Sequence, residues 1–130
     1  MASKAVFLNR FNETAEQFCK DLVSTFPEVN EFKQLKSGLM LLKNVNEKQP
    51  RELFQKYVAA HFKDQIMSKD EHFIMDLHNH ELLSGEVSQW DTILDLLRPM
   101  WSTLSQDNKE SIWKYFQVLI AINDRYLSQS

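Results

Sequence analysis

The chain has 130 residues, of which 43% are hydrophobic and 25% charged, with two glycines, three prolines, a single cysteine and a net charge of −3. This length fits one domain with a substantial core, and so few glycines argue against a fold of many strands joined by tight turns. One cysteine, Cys19, excludes an internal disulfide and suits a reducing compartment.

The N-terminal stretch MASKAVFLNRF lacks the apolar core of a signal peptide, and Ala2 in place of glycine rules out myristoylation. No apolar run is long enough to span a bilayer. The expectation is a protein that is not secreted and does not insert into membranes.

The first helix is expected over residues 3–25. Phe7, Phe11, Ala15, Phe18 and Leu22 recur at three- and four-residue steps and share a face. Cys19 lies beside that face and reads as a buried, inert thiol. Pro27 is expected to open the second helix, whose stripe is Val29, Phe32, Leu35, Leu39 and Leu42. Gly38 interrupts this pattern at a cost of about 1 kcal/mol relative to alanine, which close approach of another helix would offset. Residues 44–49 read as a loop, and Pro50 opens a third helix carrying Leu53, Phe54, Tyr57, Val58 and His61.

Ser68 and Glu71 have the spacing of a capping box, predicting a short helix through about Leu77. Residues 78–85 read as a connection. A fifth helix is expected from near Glu86, with Val87, Trp90, Ile93, Leu94 and Leu97 facing one way. Trp101 and Leu104 continue that face beyond Pro99, which kinks or interrupts the helix. Ser105 and Asp107 are both candidate caps for the last helix. Its core face is Ile112, Phe116, Leu119, Ile120 and Asn123 or Tyr126, with an end near Leu127. The fold class is therefore all-α: a compact single-domain bundle of five to six amphipathic helices spanning residues 1–130.

Catalytic and cofactor signatures are missing. Two glycines cannot build a phosphate-binding glycine loop, no G-x-S-x-G occurs, and Cys19 has no histidine close in sequence. No enzyme activity and no cofactor are expected. Three of the four histidines crowd into residues 71–81 with several carboxylates. His72 and Asp76 are four apart, His78 and His80 two apart, but H-E-x-x-H is absent. The cluster reads as loop histidines, with a metal site at His72, Asp76, His78 and His80 the minor alternative.

Charge is unevenly spread. Residues 31–69 carry eight basic and four acidic groups, whereas residues 70–130 carry four basic and ten acidic. The lysines lie on two helices and a loop and the second half is acidic, so nucleic-acid binding is not favoured. Contacts with protein surfaces, including other copies of the chain, suit the split better. Candidate interface residues are Tyr57, Tyr115 and Tyr126, whose hydroxyls tolerate a helix rim, the basic Lys33, Lys36 and Lys43, and the acidic pair Asp91 and Asp95, four apart and expected to face water.

The strings FPEVNEFKQLKSGLMLLKNVN, PRELFQKYVAAHFKDQIMSKDEHFI and WSTLSQDNKESIWKYFQVLI resemble small helical proteins encoded by large double-stranded DNA viruses, such as the algal and amoebal giant viruses. The shared look is the Phe26-Pro27 turn, the proline-led helix at Pro50–Val58, the cap at residues 66–71, and the W-x-x-LS-x-x-NK-x-x-IWKY run at Trp101–Tyr115. The resemblance covers about residues 26–122. It implies a viral origin and brings no catalytic residues with it. The expected role is a structural or assembly protein, such as a minor capsid protein, located in the virion or in the cytoplasm of the infected cell. Its partners would be other viral proteins or copies of itself. The alternative is a host-directed module, like Bcl-2 at fold level only, since the Asn-Trp-Gly-Arg signature is absent. Weak nucleic-acid binding ranks third.

Overall fold

The computed structural model describes residues 3–75 and 89–129, and all regular structure among them is helical. Seven α-helices follow in order: α1 Lys4–Thr25, α2 Asn30–Val45, α3 Gln49–Phe54, α4 Ala60–Met67, α5 His72–Met75, α6 Gln89–Leu97 and α7 Gln106–Leu127. A π-turn, Gln55–Ala59, joins α3 to α4, and a 3-10 turn, Arg98–Thr103, follows α6. The all-α fold class holds. The expected start of the fifth helix near Glu86, Val87 and the 78–85 connection lie outside the described residues.

α1 buries the stripe its spacing predicts, Phe7, Phe11, Ala15, Phe18 and Leu22, with Cys19 beside them. The helix stops at Phe26, whose N–H donates to Leu22 O at 2.9 Å. Pro27 does not open α2. It occupies the second position of a turn closed by Val29 N–H donating to Phe26 O at 3.0 Å. Proline's fixed φ serves this turn position as well as a helix start, and the buried Phe26 ring, 5.8 Å from Phe32, anchors the turn. α2 then buries Phe32, Leu35 and Leu39. At Gly38, an added Cβ would meet Gln89 Nε2 at 3.8 Å, an ordinary contact, so no close helix approach requires the glycine.

Pro50 sits in the first turn of α3 as expected. The π-turn then inserts an extra residue, which shifts the helical phase. Phe54, Val58, Phe62 and Ile66 become the buried row, and His61, expected on that face, is exposed. Tyr57 is buried with the stripe it was expected to join, only 5% exposed, so it is not a rim residue.

The Ser68–Glu71 capping box does not form. α4 closes with a Schellman arrangement in which Asp70 N–H donates to Gln65 O at 2.8 Å and Lys69 N–H to Ile66 O at 3.2 Å. Lys69 takes the left-handed conformation, φ 56°, that this closure demands. Ser68 is thereby the end of α4, and its hydroxyl donates back to Gln65 O at 3.3 Å. Asp70 starts α5 instead, its Oδ1 accepting from His72 N–H at 3.0 Å.

Pro99 ends α6 and the chain tightens into the 3-10 turn. Trp101 still reaches the core and meets Trp113 edge to face at 5.6 Å. Of the two candidate caps for α7, Ser105 acts: its Oγ accepts from Asn108 N–H at 3.1 Å. Asp107 adds negative charge to the first turn, where the helix dipole favours it. α1 packs along both α2 and α7, and α4 packs against α5 and α7. One hydrophobic core joins α1–α7. Within it Phe11, Phe54 and Trp90 cluster at 4.9–6.0 Å between rings. Trp90 Nε1–H donates to Pro50 O at 3.0 Å, which satisfies its polar atom inside the core.

Candidate functional site

The structure separates the predicted interface residues. Asp95 is exposed and pairs with Arg98 at 3.0 Å, but Asp91 is buried, 9% exposed. Trp90 pins the first turn of α6 into the core, and Asp91 lies in that turn, so the two acids do not form one water-facing pair. Tyr115 is half-buried, stacked on Phe18 at 4.8 Å, and its hydroxyl donates to Asp21. Burial, followed by this bond to a carboxylate, pushes the Tyr115 phenol up to about 12. Shallow cavities of about 110 and 310 Å³ flank this pair between α1 and α7 and share Asp21, Ser111 and Tyr115. Cys19 is sealed in the core, and desolvation pushes its thiol up to about 12, so it offers no nucleophile.

Part of the charge split is neutralised within the molecule. Lys63 reaches Asp124 at 2.6 Å, Lys69 reaches Glu110 at 2.6 Å, and Lys109 lies 3.8 Å from Glu71. The hydrogen bond to Asp124 raises the Lys63 ammonium, and those from Lys69 and Gln106 lower the Glu110 carboxyl. Two lysines of the basic middle are thus spent on acids of α7. Lys33 and Lys36 have no carboxylate partner among the described residues, and Lys43 stands 3.9 Å from Glu16.

These three lysines share α2 with an apolar surface. Leu41 is 66% and Val45 80% exposed, and Met40 is also exposed. The positions 41 and 45, one turn apart, put the two side chains on one face. Single exposed apolar residues are ordinary; Leu41 and Val45 form an exposed apolar pair, with Met40 projecting about 100° to one side.

A second constellation draws on residues far apart in the chain. Arg51 of α3 is buried, and its Nη1 donates to Asn123 Oδ1 at 2.8 Å. Asn123 Nδ2 in turn donates to Gln55 Oε1 at 2.7 Å, at the start of the π-turn. The Tyr126 ring holds two cations, Arg51 Cζ at 4.1 Å and Lys4 Nζ at 4.8 Å from its centre. Of the predicted residues only Tyr126 belongs here. Arg51, Gln55 and Asn123 were missed because each pair, Arg51 with Gln55 and Asn123 with Tyr126, looks like an ordinary helix spacing on its own.

No protein-family model, curated protein or solved structure matches the chain. What its surfaces can do therefore follows from their own chemistry. His72 is exposed and lies 3.2 Å from Asp70, while Asp76, His78 and His80 fall outside the described residues. Among the described residues no three metal-ligating side chains converge, and no helix is long and apolar enough to cross a membrane.

Proposed function

We propose that the chain is a non-enzymatic structural or assembly protein of a virus particle, a minor capsid protein working through protein–protein contacts. The observation that carries this reading is the outer surface of α2, where Leu41 and Val45 stand 66% and 80% exposed on one flank and Lys36 and Lys43 lie on the other. The exposed apolar pair fits an apolar patch on another viral protein or on a second copy of the chain, and the lysines of the other flank favour a partner with acidic side chains. The sealed Cys19 and the small cavities suit binding better than catalysis. The location that goes with this role is the virion, or the cytoplasm of the infected cell during assembly.

Quantitative proteomics of purified particles tests the reading. The expected result is many copies per particle, with incorporation lost on Leu41→Ser/Val45→Ser while the variant stays folded. Absence from particles together with early expression would overturn it in favour of a host-directed role.

A further inference from the structure

We propose that Arg51, Lys4 and Tyr126 form a binding site for a phosphate dianion. The site shares no residue with the α2 surface, so it stands whether or not the assembly role holds.

Arg51 is a buried cation, only 6% exposed. Buried charges are normally paired, yet Arg51 forms no ion pair among the described residues. Of the acids on its own helix and on the facing end of α7, Glu52 is exposed and forms no ion pair, and Asp124 is taken by Lys63 at 2.6 Å. Among the described residues the one hydrogen bond of the guanidinium, from Nη1, goes to the neutral Asn123.

That bond leaves the Nε–Nη2 edge without a hydrogen-bond partner among the described residues. Nε–H and Nη2 lie on the same side of a guanidinium and form the fork that matches two oxygens of an oxyanion. Arg51 Nε is buried without a partner. Nη2 makes no hydrogen bond among the described residues, and unlike Nε it is not sealed. An anion therefore meets the guanidinium at Nη2, since Nε is sealed by the surrounding packing.

Lys4 supplies the second charge. Its ammonium lies over the same Tyr126 ring and forms no ion pair among the described residues. Two cations held against one ring repel each other, and an anion of charge near −2 removes that repulsion where a single carboxylate would not. The base of the site is fixed, because Asn123 is buried and tied to Gln55. The neighbouring π-turn, a feature frequent at functional sites, places Gln55 there.

The ligand is thus a phosphate group, free or carried on a small molecule as a monoester. Thermal unfolding of the full chain in inorganic phosphate, in glycerol phosphate and in chloride at matched ionic strength tests this. The expected result is a midpoint that rises with phosphate concentration above the chloride baseline, as a ligand of the folded state requires. A rise with inorganic phosphate alone assigns the site to the free ion, and a rise with both assigns it to the terminal phosphate group. Lys4→Ala, at an exposed position, is expected to weaken the response by roughly tenfold, the scale of one charge-assisted hydrogen bond. Arg51→Met is expected to abolish it. Equal midpoints in phosphate and chloride, or an undiminished response in Lys4→Ala, would overturn the proposal.

Discussion

The two ends of α7 solve different problems with the same helix. Near its start, Trp113 lies against Trp101, and Phe116 meets Phe73 and Phe18 edge to face at 5.4 Å each. Four residues beyond Leu119 the same face presents Asn123 to a buried guanidinium. The aromatic end is what folding requires, since large apolar side chains removed from water supply most of the driving force. The polar end is not, since burying a cation without a counter-charge opposes folding. Stability and binding capacity are therefore located on opposite ends of one element.

The largest effect is expected at the aromatic end. Phe116→Ala removes a fully buried ring and should lower stability by about 3–5 kcal/mol in urea unfolding. Asn123→Ala deprives Arg51 of its acceptor and Gln55 of its donor, and a loss of about 1.5–3 kcal/mol is expected. A loss as large as that of Phe116→Ala would erase the distinction between the two ends. Gly38→Ala, away from both, should raise stability by up to about 1 kcal/mol, because the new methyl meets only an ordinary contact.

The last effect appears only in alkali. Folding holds the Tyr115 phenol at about 12 against an ordinary 10.0, so the unfolded chain releases that proton first. This contribution to stability is intact below about pH 10 and is lost as pH rises toward 12. Cys19 acts in the same direction, its thiol held at about 12 against 9.0. Alkaline unfolding of Tyr115→Phe/Cys19→Ala should show a shallower fall of stability above pH 9 than the parent chain. An unchanged profile would mean that neither group is coupled to folding.

The aromatic end was legible in the sequence and the polar end was not. Phe7, Phe11, Phe18, Phe116 and Ile120 follow the helical repeat, and burial followed the repeat. Periodicity failed where local chemistry changed the phase or the ending. Tyr57 is buried as its place on the helical stripe required and its hydroxyl did not suggest, while beyond the π-turn His61 faces outward, which no spacing rule anticipates. Ser68 was claimed by the end of α4 before it could cap α5. Arg51 and Asn123 lie 72 positions apart, so their meeting is a product of tertiary packing alone.

Urea unfolding of Arg51→Met/Asn123→Leu in phosphate-free buffer tests the division most directly. Replacing a buried polar pair by apolar side chains of similar volume should leave the midpoint unchanged or raised, because no charge remains to be desolvated. A fall of about 3 kcal/mol or more, the scale of a core truncation, would contradict it and make the Arg51 end part of what holds the fold together.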